Sequence, residues 1–185
     1  QNLMALEMLF SMSRPRPEKA PEKTVAAPLE ATFDPIVGRY INMAFQGRPH
    51  RIYFEEAGSG IPLICLHTAG ADGRQYREIL NDPDITANYR VVVFDLPWHG
   101  KSSPPAGFQD EVYQLTTDSY VAITMAVKAA LGLDNPVIMV CSIGGRAVLH
   151  LALRHGADLR AVIGLQSALF AENKIDGEPE GLRSI

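Results

Sequence analysis

The stretch that most constrains the fold is residues 137–146, VIMVCSIGGR. A short apolar run leads into Ser142 and two glycines, and residues 147–154 continue with the pattern of a helix. A strand that turns sharply into a helix lifts the residue at the turn out of the core, where a serine is a candidate nucleophile. The same residues also fit a βα unit in which Ser142 only caps the helix. The rest of the chain has to distinguish these two interpretations.

The pattern along the chain predicts an α/β fold. Turn-prone residues between two alternating runs predict an antiparallel hairpin, and continuously apolar runs predict buried parallel strands separated by helices. The predicted hairpin strands are 40–45 and 51–56, the predicted parallel strands are 63–66, 90–95, 137–141 and 159–165, and the predicted helices are 74–80, 115–131 and 147–154. This order indicates a mostly parallel twisted sheet with helices on both faces, opened by an antiparallel hairpin.

Residues that could take part in catalysis or ligand binding follow the ends of these predicted strands. Residues 67–70, 95–102, 141–143 and 166–167 each come directly after one of them. Ligands of open α/β sheets bind beyond the carboxyl ends of the strands. We therefore expect these four segments to gather at one edge of the sheet.

Charge and composition exclude several classes of function. The net charge of -4, without a dense Lys/Arg cluster in the predicted fold, argues against a nucleic-acid surface and favours a small-molecule substrate. Cys65 and Cys141 both lie in apolar runs, which predicts neither a disulfide framework nor a metal site and favours a reducing, cytoplasmic location. No run is long enough to span a membrane, and residues 3–10 lack the features of a signal peptide.

The N-terminal region differs from the rest of the chain. Residues 1–32 combine an apolar segment with a proline-rich linker, residues 33–170 form the predicted core, and residues 171–185 begin a cap or linker. The apolar segment at residues 1–12 predicts a short helix that is stable only when docked. It is interpreted as an arm for a partner or for a homo-oligomer, as a cover over the domain, or as sequence foreign to the fold.

Three motifs in this order resemble the α/β-hydrolase superfamily over roughly residues 38–170. Residues 66–70, LHTAG, are similar to its His-Gly oxyanion loop, and residues 95–102, DLPWHGKS, are similar to its Asp-x-x-Gly-x-Gly-x-Ser turn. Ser142 occupies the place of the nucleophile in the Gly-x-Ser-x-Gly elbow. The three motifs together favour the catalytic interpretation of Ser142 over the capping one.

The resemblance implies a role for specific residues. Ser142 Oγ would attack a carbonyl carbon, and the backbone N–H groups of Ala69 and Ile143 would form the oxyanion hole. Thr68 and Trp98 would contact the substrate. Neither a metal nor an organic cofactor is implied.

The chain departs from the family pattern at three positions. Val140 stands at the first glycine of the elbow, Thr68 at a glycine of the oxyanion loop, and Trp98 at the first glycine of the aspartate turn. Cys141 is a rival nucleophile, but its place beside the turn predicts a side chain that points into the core.

The base and the acid of a catalytic triad have no good candidate in the chain. Gln166 and Ser167 follow the last predicted strand, where some family members have the acid, and the five histidines lie in loops, in the hairpin or along a helix. A serine without a base is a poor nucleophile at neutral pH. We therefore expect the histidine and the acid from sequence beyond this chain, supplied by a second polypeptide or fragment that completes the fold.

The sequence accordingly predicts a serine hydrolase that cleaves a small carboxylic ester or a related carbonyl compound through an acyl-enzyme on Ser142. One alternative is a carbon–carbon bond hydrolase of β-diketone-like substrates. Another is a non-catalytic, ligand-binding relative, since a fold alone does not fix a function.

Overall fold

A computed structural model of the chain describes residues 30–142 and 144–166. Its strands are β1 (Val37–Phe45), β2 (Arg48–Ala57), β3 (Ile61–Leu66), β4 (Tyr89–Phe94), β5 (Val137–Cys141) and β6 (Ala161–Leu165). Its helices are α1 (Arg77–Asn81), α2 (Pro83–Thr86), α3 (Thr117–Ala130) and α4 (Gly144–His155), and short 3₁₀ turns cover Gly73–Tyr76, Phe108–Asp110 and Gly156–Asp158. Residues 1–29 of the predicted N-terminal segment and the whole predicted start of a cap, residues 171–185, lie outside the described residues.

The strands of the described part form one sheet in the order β1-β2-β4-β3-β5-β6. Strands β1 and β2 form an antiparallel hairpin, and β2 is also antiparallel to β4. The remaining neighbours are parallel. The predicted fold class, a mostly parallel sheet opened by an antiparallel hairpin, is confirmed.

Both faces of the central strands are buried. In β3, Leu63 and Cys65 point into a cluster with the α1 residue Leu80, whereas Ile64 and Leu66 point into a cluster with residues of α3 and α4. Successive side chains of a strand alternate between faces, so a strand covered on both sides needs a continuous apolar run. The sheet is therefore a middle layer between two layers of helices.

The predicted elements differ from the observed ones mainly at their ends, and the short helix α2 has no counterpart in the prediction. The predicted helix 74–80 is a 3₁₀ turn followed by α1, and it starts where Asp72 Oδ1 accepts the N–H of Arg74 at 3.0 Å. The last strand begins at Ala161 instead of residue 159, because Leu159 still closes the turn that starts at Gly156. No helix in the described ranges is long and apolar enough to cross a membrane.

Candidate active site

The sheet reverses its winding direction beside β3. Strand β4 pairs with one side of β3 and β5 pairs with the other, so the connections after β3 and after β5 run to opposite sides. Leu66 pairs with Val140, which places Thr68 and Ser142 two residues beyond the paired ends. Such a switch point opens a crevice at the carboxyl ends of the strands, where ligands of this fold class bind.

Ser142 lies at the apex of a tight turn between β5 and α4. Its φ of 55° is left-handed, which is uncommon for a residue with a Cβ, and its side chain is exposed. The turn is held on both sides: Ser142 N–H donates to Leu165 O at 2.9 Å, and Gly145 N–H donates to Ser142 O at 2.8 Å. A fixed, strained backbone that presents an exposed hydroxyl at the start of a helix is the geometry of a nucleophile elbow.

Val140, at the first-glycine position of the elbow, is accommodated inside the sheet. It is fully buried in the core cluster that packs against α3 and α4. Its partner in β6 is Gly164, which has no side chain. Paired residues of parallel strands project to the same face, so Gly164 leaves room beside the valine.

The loop after β3 supplies one candidate oxyanion donor. Thr68 N–H donates to Gln75 Oε1 at 2.9 Å, and Ala71 N–H donates to Thr68 O at 3.2 Å. Ala69 is exposed, and no acceptor among the described residues takes its N–H. The second predicted donor, Ile143, lies outside the described residues.

His67 is a buried histidine that fastens two loops. Its Nδ1 donates to Thr68 O at 2.9 Å, and its Nε2 accepts the N–H of Leu96 at 3.0 Å. These bonds fix one neutral tautomer, and desolvation lowers the pKa of the imidazole from its ordinary value. Both ring nitrogens are occupied, so His67 is not placed to take a proton from Ser142.

Asp95 also joins two loops through hydrogen bonds. Its Oδ1 accepts the N–H of Gly73 and its Oδ2 accepts the N–H of Lys101, both at 2.7 Å. Its backbone carbonyl accepts the hydroxyl of Ser102 at 2.7 Å. The spacing of Asp95 and Ser102 in the motif is the sequence signal for this arrangement, which joins the loops after β3 and β4.

The other histidines lie in a loop, in the hairpin or along a helix, and none of them is at the Ser142 turn. His99 Nδ1 lies 3.0 Å from Pro97 O, and His50 is in β2. His150 and His155 are on α4, which rises roughly 1.5 Å per residue away from the Ser142 turn. Among the described residues, therefore, no histidine takes the position of a base for Ser142.

Trp98 has a strained backbone and an aromatic packing site. Its φ is 71°, and its ring lies 5.2 Å from Phe108 and 5.7 Å from Tyr113, measured between centroids. It borders a cavity of about 330 Å³ between the hairpin and the start of α3. Neither Ser142 nor Thr68 borders that cavity, so Trp98 and Ser142 are not brought into one pocket by the described part of the chain.

Both cysteines are free thiols. Cys65 is buried, and desolvation raises its pKa to about 12. Cys141 is half-buried at the end of β5, beside the apex instead of on it. Within the described ranges, no three His, Cys, Asp or Glu side chains gather as metal ligands.

Comparison with known proteins agrees with this geometry. The family model described as the alpha/beta hydrolase fold matches residues 61–179. The 2-hydroxy-6-oxo-6-phenylhexa-2,4-dienoate hydrolase of Burkholderia cepacia is 33% identical over 136 residues, covering 69% of this chain and 45% of that protein. An AB hydrolase superfamily protein of Bacillus subtilis is 28% identical over 133 residues, covering 71% of this chain and 47% of that protein.

Solved structures show the same fold. An esterase from Thermogutta terrifontis superposes with a TM-score of 0.62 at 20% sequence identity, covering 75% of this chain and 48% of that one. The chain thus spans about half the length of the curated relatives that it matches.

Proposed function

This chain belongs to the alpha/beta hydrolase fold family, and we propose that it carries the nucleophile of a serine hydrolase acting on a small carboxylic ester or a related carbonyl compound. The observation that carries the proposal is the exposed Ser142 hydroxyl on a left-handed backbone at the switch point of the sheet. A strained residue at a ligand-binding edge of a sheet is typical of an active site.

The proposed reaction is acyl transfer. Ser142 Oγ bonds to the carbonyl carbon as its proton leaves, and the carbonyl oxygen becomes an oxyanion that accepts hydrogen bonds from the N–H groups of Ala69 and Ile143. When the tetrahedral intermediate collapses, the carbon–oxygen bond to the leaving alcohol breaks and the alcohol takes a proton. Water then cleaves the acyl-enzyme, which releases the carboxylic acid and restores the hydroxyl.

The proposal requires a base for the Ser142 proton and an acid that orients the base. Both nitrogens of His67 are already hydrogen-bonded, which argues against that nearby ring. We therefore propose that a histidine and a carboxylate come from a further segment, in the same protein or in a second polypeptide. An intact-mass measurement of an active sample tests this: a second polypeptide, or a mass above the 20.2 kDa of this chain, is expected. Activity from a sample of this mass alone contradicts it.

The nucleophile is tested by labelling with a fluorophosphonate probe. In the active assembly, Ser142→Ala is expected to abolish labelling and to lower kcat on the order of 10⁴- to 10⁶-fold, as the loss of a triad member does. Cys141→Ala is the matched control, because it removes the neighbouring nucleophile but leaves the apex unchanged. Labelling that survives in Ser142→Ala and disappears in Cys141→Ala would assign the chemistry to the thiol. Absence of labelling in the unmutated assembly would favour the ligand-binding alternative.

The second candidate function is hydrolysis of a carbon–carbon bond in a β-diketone-like substrate. Its support is the 33% identity to the dienoate hydrolase of Burkholderia cepacia. Parallel assays with a 4-nitrophenyl ester and a vinylogous 1,5-diketone distinguish the two. An ester hydrolase is expected to have the higher kcat/KM with the ester, and a preference for the diketone would favour the second candidate.

A further inference from the structure

The cavity beside Trp98 is bordered by a buried histidine with one ring nitrogen that has no partner among the described residues. We call it the His50–Trp98 cavity, bordered by Phe45, His50, Trp98, Tyr113, Leu115 and Ile123 among others. From the chemistry of this lining, we propose that the cavity binds a neutral, hydroxyl-bearing aromatic ring whose hydroxyl group donates a hydrogen bond to His50. The site is separate from the Ser142 turn and does not depend on the proposed function.

His50 is held in one orientation by a hydrogen bond of Nδ1, and its Nε2 has no hydrogen-bond partner among the described residues. The residue is only 8% exposed, and it shares the inward face of β2 with Ile52 and Phe54. Its Nδ1 donates to Arg48 O at 3.1 Å, so in the neutral imidazole Nε2 is a hydrogen-bond acceptor. No donor among the described residues reaches that Nε2. A buried acceptor without a partner costs free energy, which a ligand donor would recover.

The ring of His50 faces the cavity. It packs edge to face on Phe45, with centroids 5.4 Å apart, and Phe45 borders the same cavity. A second, more open groove along the hairpin also touches His50 but not Phe45. The contact with Phe45 favours the cavity side of the strand for the remaining ring nitrogen.

The charged side chains of the lining, Arg48 and Glu111, are paired with each other. Arg48 Nη1 donates to Glu111 Oε1 at 2.5 Å, which neutralises the two charged side chains. Thr116 and Ser119 satisfy each other in the capping box of α3. An anionic or cationic ligand thus has no unpaired counter-charge in the described lining, and a neutral ligand is favoured.

The rest of the lining favours an aromatic ring. Trp98 is half-buried and lies edge to face with Phe108, while Tyr113 packs beside it. Aromatic rings associate preferentially in offset and edge-to-face arrangements, so a ring between Phe45 and Trp98 would continue the cluster. The volume of about 330 Å³ is near the lower end of the range for small-molecule pockets, which suits a compound of one or two rings.

Titration with phenol and with fluorobenzene tests the proposal. Fluorobenzene matches the size of phenol and lacks the donor. Trp98 is the only tryptophan in the chain, so its emission, excited at the red edge of indole absorption, reports binding in this cavity. Phenol is expected to bind about tenfold more tightly than fluorobenzene, the effect of one hydrogen bond to an otherwise unpaired acceptor. Equal affinities, or unchanged Trp98 emission with phenol, would overturn the proposal.

The ¹⁵N resonances of the five histidines locate the hydrogen bond. Phenol is expected to shift Nε2 of His50 most, and a largest shift at His67 or His99 would overturn the assignment. His50→Phe keeps a ring at the position and removes the acceptor, so phenol should bind it no more tightly than fluorobenzene. If that variant does not fold, the ligand pair and the Nε2 shift in the unmutated chain still decide. Ser142→Ala should bind phenol with unchanged affinity, and a loss there would place the ligand at the elbow instead.

Discussion

At the scale of single residues, the loops at the carboxyl ends of the strands depend on close contacts that a glycine allows. Gly100 has a φ of 51°, and a Cβ on it would overlap Asp95 Oδ2. Gly132 has a similar φ of 59°, but a Cβ there would meet nothing within 4 Å. The two positions therefore separate the cost of a left-handed backbone from the cost of a clash.

We expect Gly132→Ala to lower the free energy of unfolding by about 1 kcal/mol, the cost of a left-handed alanine. Gly100→Ala should lower it by about 2 kcal/mol more, because the Asp95 carboxylate would have to leave its two N–H donors. Urea unfolding of both variants measures the difference. Equal losses would show that the Asp95 carboxylate moves aside without cost.

The buried imidazole of His67 makes stability depend on pH. Burial lowers its pKa below the ordinary value of 6.5, so the unfolded chain binds a proton that the native chain does not. The contribution of the neutral imidazole to the free energy of unfolding is complete above pH 6.5. It decreases as the pH falls from 6.5 toward the lowered pKa. We expect the free energy of unfolding to fall over this range.

The measurement is a series of urea titrations between pH 7 and pH 5. His67→Gln should unfold more easily at pH 7, and its free energy of unfolding should depend less on pH. His155→Gln, at the C-terminal end of α4, should keep the pH dependence of the unmutated protein. If the free energy of unfolding of His67→Gln depends on pH as in the unmutated protein, the pH dependence belongs to other groups.

At the scale of secondary-structure elements, the start of α3 is fixed by reciprocal capping. Ser119 N–H donates to Thr116 Oγ1 at 3.1 Å, and Thr116 N–H donates to Ser119 Oγ at 2.9 Å. Thr116→Ala removes one of these bonds and should destabilise the protein by about 1 kcal/mol. Faster amide hydrogen exchange in the first turn of α3 is the direct readout.

Thr117→Ala is the control for this capping prediction, because the Thr117 side chain makes no hydrogen bond to the described residues. Equal losses in the two variants would mean that the lost stability does not come from the cap, since alanine has the higher helix propensity.

At the scale of the whole molecule, β6 forms one edge of the sheet in the described part of the chain. β5 is its partner on one side, and Ile163 and Leu165 are 38% and 40% exposed. An open, apolar strand edge favours pairing with another strand. This edge is where we propose that the further segment docks.

Ile163→Lys tests that docking, because a charge on an edge strand opposes pairing. Where the further segment is a second polypeptide, we expect Ile163→Lys to weaken the association at least about tenfold, measured by size-exclusion chromatography with light scattering. Leu153→Lys places the same charge on α4, at a side chain that is 83% exposed, and should leave association unchanged. Equal weakening in both variants would argue for a nonspecific effect of charge.

The parts of this molecule that follow from local sequence could be predicted, and those that follow from long-range pairing could not. The apolar run 63–66 and the turn at Ser142 carry their signals within a few residues. The register of β2 on β4 pairs Phe54 with Phe94. No local pattern encodes that pairing. The left-handed Trp98 likewise depends on its packing against Phe108 and Tyr113, which overrides backbone preference.

The position of β3 between β4 and β5 has a consequence for how the protein becomes active during folding. The loop after β3 and the turn at Ser142 come together only when Leu66 pairs with Val140, a contact between distant parts of the chain. Contacts of long sequence separation form slowly, because a large loop must close first. We expect the hairpin and the β3–β4 pair to assemble early and the proposed nucleophile Ser142 to reach its native position late. The rate at which Ser142 regains reactivity would then measure the last step of refolding.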